Sequence, residues 1–92
     1  LVSEPGTGRL AGLLTDGDLR RLVLRDRAEL DRVIGEVMTR SPRTLPDSAV
    51  VRDAVNMIRE FRQDEIPVVD DAGRPVGILD VQDLIAMRLV RD

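Results

Sequence analysis

Residues 12–21 read GLLTDGDLRR: an apolar run, a turn on Thr-Asp-Gly-Asp, and the start of a basic helix. A hydroxyl, two carboxylates and two arginines thus fall within seven residues, Thr15 to Arg21, at a strand-to-helix corner. A second segment, residues 77–86 (GILDVQDLIA), is a paler copy of the first. Shifting the chain by 65 residues sets Gly8-Arg9 on Gly73-Arg74, Gly12 on Gly77, Leu14 on Leu79, and Asp18-Leu19 on Asp83-Leu84. Six identities in twelve positions, with apolar matches between them, mark a duplicated supersecondary unit, since the period is too long for a solenoid.

The second copy is complete, and its elements follow from pattern. Arg43-Thr44-Leu45 is a short extended piece closed by Pro46, and Asp47 or Ser48 can cap the helix that follows. Val51, Ala54, Val55, Ile58 and Phe61 recur at helical spacing and form one apolar stripe, which is core packing. Residues 66–69 are a strand; Pro67 inside it cannot donate to a ladder, so this strand is an edge or starts at the proline. Asp70-Asp71-Ala72-Gly73 is a turn, and residues 76–79 form the antiparallel partner strand. Asp80 caps a last helix whose Val81, Leu84 and Ile85 face inward, so the order is β-α-β-β-α. In the first copy the sequence begins inside a strand, because Val2-Ser3 aligns with Pro67-Val68. Residues 10–14 are its next strand and residues 15 to about 25 its helix; residues 28–42 connect the copies, with a helical turn around 34–38.

Composition narrows the function. At 92 residues the chain is one small domain, and 42 % apolar with 34 % charged residues is an ordinary globule. No apolar run approaches the ~20 residues of a membrane span. A net charge of −3 argues against nucleic-acid binding. There is no cysteine, so disulfides, thiolate nucleophiles and Cys-type metal sites are excluded; this fits a cytoplasmic protein. All fourteen basic residues are arginine, which removes His or Lys general-base and Schiff-base chemistry and leaves no catalytic site beyond paired carboxylates. The single aromatic, Phe61, leaves little for base stacking.

The repeated β-α-β-β-α unit, with VMTRSPRTL, IPVVDDAGRPVGIL and Gly-x-x-[Ser/Thr]-x-x-Asp, resembles a cystathionine-β-synthase (CBS) domain pair, or Bateman module, over essentially the whole chain. The resemblance implies an α+β fold with pseudo-two-fold repeats and a first repeat truncated at its start. Residues 1–27 would be the second part of the first repeat, 28–42 a connector and 43–92 the second repeat. TDGDLRR after a strand further resembles the CBS pair of arabinose-5-phosphate isomerases. It implies a sugar-isomerase domain ahead of this chain, carrying the conversion of ribulose 5-phosphate to arabinose 5-phosphate. Two alternatives remain at this point: a CBS pair of another host, such as a transporter or dehydrogenase, and a structural module without ligand.

In this family the Ser/Thr and Asp of the motif hold a nucleotide, which assigns those parts to Thr15 and Asp18. The chemistry suits them: a helix start favours anions, Thr15 can donate to a phosphate oxygen, and a carboxylate can accept from two ribose hydroxyls. Gly17 permits close approach beside Asp16, and Arg20 and Arg21 are candidate phosphate or carboxylate contacts. The same Thr-x-x-Asp pattern is also a capping box, and the two arginines can be plain solvated charges. The family draws the cleft walls from the other repeat, here Thr44-Leu45 and Glu65-Ile66-Pro67. Leu45, Ile66 and Pro67 would meet a flat base by apolar contact. The Asp80/Asp83 corner replaces the hydroxyl with a carboxylate, which repels phosphate, so one intact site is expected. No cofactor or metal is required; AMP, ATP or the activated sugar CMP-Kdo are candidate regulatory ligands. CBS pairs commonly dimerise through helices, and Leu22, Val23, Met57, Ile58, Ile85 and Leu89 are the candidates for that contact.

Overall fold

The computed structural model describes residues 1–86, so Leu89 lies outside the described residues. The elements run β1 (Val2–Ser3), β2 (Leu10–Leu13), α1 (Asp16–Arg25), a 3-10 turn (Arg27–Asp31), α2 (Ile34–Val37) and β3 (Thr39–Arg40). They continue as β4 (Leu45–Pro46), α3 (Val51–Phe61), β5 (Glu65–Val69), β6 (Pro75–Asp80) and α4 (Val81–Ala86). Two three-stranded sheets result, ordered β1-β2-β3 and β4-β5-β6, in an α+β slab of 40 × 35 × 18 Å.

The repeat is visible in the contacts. Its equivalent turns face each other and exchange equivalent arginines: the Arg74 side chain lies against Gly8 and the Arg9 guanidinium against Gly73. Arg74 Nε donates to the Thr7 carbonyl at 3.1 Å, and the Leu10 N–H to the Gly73 carbonyl at 2.9 Å. Both glycines have positive φ, +72° and +80°, which L side chains rarely adopt.

The core sits in the second repeat. Leu45, Ala54, Val55, Ile58, Ile66, Val81 and Leu84 enclose one another, with Met57, Leu79 and Ile85 packed against them. Burying each Leu or Ile fully is worth about 1.5–3 kcal/mol. The stripe of α3 is only partly inside: Val51 and Phe61, at its two ends, are exposed. Ile58, a candidate for the dimer contact, is spent on this core and is 7 % exposed. No residue of α1 is buried, because no counterpart of α3 lies over it among the described residues. A radius of gyration of 14.3 Å, against about 12 Å for a compact chain of this length, reflects that open half.

Three local expectations are corrected. Pro46 is part of β4 rather than its stop, and Thr44 precedes the strand. Neither Asp47 nor Ser48 caps α3: both lie in a turn, the helix starts after Val50, and Asp53 accepts the Val50 N–H at 3.1 Å. Strand β5 is central rather than an edge, with β4 parallel on one side and β6 antiparallel on the other. It tolerates Pro67 because β4 pairs only with Val68 and Val69, so the missing donor leaves no bond to β4 unmade. The connector also carries β3, which pairs antiparallel with β2 (Gly12 with Arg40, Leu13 with Thr39) and extends the first sheet.

Candidate functional site

Thr15 stands at the N-cap of α1 in an extended conformation, and its hydroxyl oxygen accepts the Asp18 N–H at 3.1 Å. Asp18 reciprocates: Oδ2 accepts the Thr15 N–H at 3.1 Å, while Oδ1 accepts from Arg21 Nη2 at 2.5 Å. The capping box is therefore realised in full, and both carboxylate oxygens are engaged from within the helix. Burial pushes the Asp18 carboxyl up, but the Thr15 N–H, the Arg21 guanidinium and the Thr15 hydroxyl outweigh it and hold the group below its ordinary value. Asp18 is thus an anion at neutral pH. In the second repeat the corner has no hydroxyl, and Asp80 Oδ1 accepts the Gln82 N–H at 2.9 Å.

Thr15, Asp18 and Arg21 open onto a cleft of about 440 Å³ that both repeats build. Leu13 closes its end; Thr39 to Arg43 form one wall; Phe61 and residues 63–65 form the other. Gln63 ties the walls together, since its amide nitrogen donates to the Arg43 carbonyl at 2.9 Å and the Glu65 carbonyl at 2.8 Å. Of the expected wall, Glu65 lines the cleft and Thr44 does not. Leu45 and Ile66 are core residues, and Pro67 is fully buried, so their side chains are not the apolar platform expected of them. Strand alternation along β5 explains Ile66: with Glu65 toward the cleft, Ile66 points into the core. Asp16 and Arg20 lie elsewhere, on a shallow depression with Leu19, Val23 and Leu24. Gly17 does not line the cleft, but Arg21 folds over it, with Nη1 3.4 Å from where a Cβ would stand.

The aromatic discounted in the sequence is in the site. Phe61 is 42 % exposed, and the Arg43 guanidinium lies 3.7 Å over its ring. Helix α3 ends at Phe61 with Arg62 left-handed (φ 53°), which leaves the last residue of the apolar stripe outside the core. Leu13, Thr39, Ser41, Pro42, Gln63 and Asp64 also line the cleft without having been singled out, as do Arg40 and Arg43. The signal was the TRSPRT run, whose two arginines flank a Ser-Pro turn with Ser41 at φ 48°.

Glu65 faces other carboxylates. Burial, then Asp80 across the β5–β6 pair, then Asp16 and Asp64, raise its carboxyl above the ordinary value. The signs of the two shifts oppose. Glu65 takes up its proton earlier in the fold than in the unfolded chain, so its charge destabilises the fold at neutral pH and is relieved as pH falls through its folded value. Asp18 contributes stability above its unfolded value, about 3.9, which is lost as pH falls through its lower folded value. Glu65→Gln is therefore expected to melt above the parent at about pH 7, with the gap closing towards about pH 4.5. Asp18→Asn should melt below the parent at about pH 7, with its gap closing only under about pH 4. Melting curves across this range check both; a Glu65→Gln gap that widens on acidification would contradict the raised value.

Among the described residues no group of His, Cys, Asp or Glu is arranged to hold a metal ion, and no helix is long and apolar enough to cross a membrane. The family model described as the CBS domain matches residues 34–89. An arabinose 5-phosphate isomerase, KdsD of Francisella tularensis, is 34 % identical over 97 % of the chain and 27 % of its own length. The chain thus spans about a quarter of the length of the curated relatives it matches. Among solved structures, the CBS domain pair of protein MJ0100 in complex with 5'-methylthioadenosine and S-adenosyl-L-methionine superposes with a TM-score of 0.78. It is 26 % identical and covers 95 % of this chain and 66 % of that one. The protein CBSX2 in complex with AMP is 30 % identical with a TM-score of 0.73, covering 91 % and 66 %.

Proposed function

The chain belongs to the CBS domain family, and on that footing we propose that it is a regulatory module whose cleft between the repeats binds a nucleotide. The observation that carries this reading is the cleft itself: the Thr15 hydroxyl, the Asp18 carboxylate and three guanidinium groups, with Asp64 and Glu65 on the opposite wall, line about 440 Å³ drawn from both repeats. The Thr15 oxygen accepts a backbone N–H, and its single hydroxyl hydrogen, which leans on the Asp18 carboxylate, can turn to a phosphate oxygen. Asp18 accepts from the ribose hydroxyls, and the Phe61 face, rather than Leu45, Ile66 and Pro67, is the surface offered to a base. The likeness to structures holding AMP and S-adenosyl-L-methionine supports a nucleotide in this role.

The host in this proposal is an arabinose-5-phosphate isomerase. Its isomerisation of ribulose 5-phosphate belongs to a sugar-isomerase domain outside this chain, in keeping with the relative that matches nearly all of these residues. AMP or ATP would report adenylate state, and CMP-Kdo would report an end product. The sugar acid of CMP-Kdo carries a carboxylate that Arg21, Arg40 or Arg43 can pair; Arg20 stands outside the cleft and does not take part. The module dimerises through helix faces, with Leu19 and Leu24 now the exposed apolar residues of α1 beside Leu22 and Val23.

Titration calorimetry with AMP, ATP and CMP-Kdo tests the ligand. Asp18→Ala is expected to weaken binding at least about tenfold, or about 1.4 kcal/mol, while the helix loses roughly 0.3–1 kcal/mol of support at its start. Asp83→Ala should bind as the parent does. Equal weakening by both substitutions would refute a single site at Asp18, and heats absent with all three nucleotides would leave a structural module.

A further inference from the structure

The described residues that line the cleft include as many carboxylates as guanidinium groups: Asp18, Asp64 and Glu65 against Arg21, Arg40 and Arg43. Glu65 is the one set against its own kind. It pairs with Asp80 across β5 and β6, where side chains directly opposite stand about 5 Å apart and like charges repel. Asp16 at the start of α1 and Asp64 beside it in the chain add to that field, and the α-amino group of Leu1 opposes it. Among the described residues no arginine lies within ion-pair distance of Glu65. Burial and these neighbours hold the Glu65 carboxyl above its ordinary value, whereas Asp18, across the cleft, is held below its own. As pH falls, Glu65 therefore loses its charge while Asp18 keeps its charge.

We propose that Glu65 couples anion binding in this cleft to proton uptake from solvent, so that a bound anion and a bound proton each favour the other. The inference rests on the proposed nucleotide site and concerns its regulation. A phosphate held by Arg21, Arg40 or Arg43 brings negative charge into the space that the Glu65 carboxylate already lines. Protonation turns that carboxylate into a neutral acid, which removes the repulsion and leaves an O–H that can donate to a phosphate oxygen. The coupling is reciprocal: whatever factor the proton adds to the affinity for the anion, the anion adds to the affinity for the proton. Two unit charges across a cleft of this width, partly open to water, correspond to a factor of about three to ten. Glu65 is charged at neutral pH, and the anion is held least tightly there; its affinity rises as pH falls through the folded value of Glu65. Asp80 does not line the cleft, so it is a positioning residue: its charge sets where Glu65 takes up the proton.

Calorimetry with AMP and adenosine between about pH 7 and about pH 4.5 reads the coupling. At about pH 7, Glu65→Gln is expected to bind AMP about three- to tenfold more tightly than the parent. The gap should narrow towards about pH 4.5 as the parent takes up the proton. The ratio of the two affinities removes the titration of the AMP phosphate, which both proteins share. Adenosine, which carries no anion, should bind both proteins alike throughout. Carbon-13 NMR of the Glu65 carboxyl gives the reciprocal half: its titration midpoint should move up by about 0.5–1 pH unit on saturation with AMP, and down in Asp80→Asn. A gap that is absent, that ignores pH, or that is equal for AMP and adenosine would overturn the coupling while leaving the site in place. A parent protein that binds neither ligand would overturn the site and, with it, the coupling.

Discussion

Gly12→Ala is expected to destabilise the fold by about 2–3 kcal/mol, whereas Gly77→Ala, at the equivalent position of the second repeat, leaves it unchanged or more stable. A Cβ on Gly12 would stand on the Met38 sulfur, 2.9 Å from Met38 Cγ and 2.8 Å from the Thr39 carbonyl oxygen. The methionine side chain can swing away, but the carbonyl belongs to β3, which is fixed by its pairing with Gly12 and Leu13. Relief requires moving β3, and overpacking of that kind costs about 1–3 kcal/mol even in adaptable cores. Around Gly77 nothing lies within 4 Å of where a Cβ would stand, so alanine there only restricts the unfolded chain, a gain of up to about 1 kcal/mol. Urea denaturation midpoints of the two variants decide it; equal midpoints would mean that β3 yields without cost. The first variant also reaches the cleft, since Thr39 to Arg43 are one of its walls. Its nucleotide affinity should fall along with its stability.

The two glycines show how far the sequence carries. Their equivalence was legible, because the identities at a 65-residue shift bracket them. Their difference was not, because it comes from β3, and two residues are too few for any alternation to register. The corner at Thr15 and Asp18 was legible down to its hydrogen bonds, since a capping box is local chemistry at fixed spacing. Arg21 was legible as a neighbour of Asp18 at i, i+3, but not as the group that occupies its second oxygen. The cleft walls failed for a reason of another kind. Leu45, Ile66 and Pro67 were placed there by family pattern, and which side of a two-layer unit a β-branched run faces depends on where α3 and α4 settle. Phe61 failed through the helix end: a stripe position is inside only while the helix beneath it continues.

Leu84→Ala is expected to cost about 3–5 kcal/mol and Leu19→Ala, its counterpart in the repeat, less than about 0.5 kcal/mol. The two residues share a motif position, yet Leu84 is 2 % exposed and Leu19 is 45 % exposed. Leu84 lies among Ala54, Val55, Ile58 and Ile66, where truncation removes transfer energy and leaves a cavity that a sheet and a helix cannot close. A loss of that size is a large share of the roughly 5–15 kcal/mol of a small domain, and should lower the melting temperature by about 10 °C or more. Leu19 contacts solvent on a helix with no buried residue, so its truncation removes little, and alanine is the better helix former. Dilute melting curves test that contrast. The proposed dimer adds a concentration dependence to it. Leu19→Ala combined with Leu24→Ala should leave the dilute protein unchanged and shift light scattering towards monomer at high micromolar concentration. If the pair leaves the association state untouched, the exposed face of α1 is not the dimer contact. If Leu19→Ala alone costs as much as Leu84→Ala when dilute, that face is covered within the single chain, contrary to the fold described for residues 1–86.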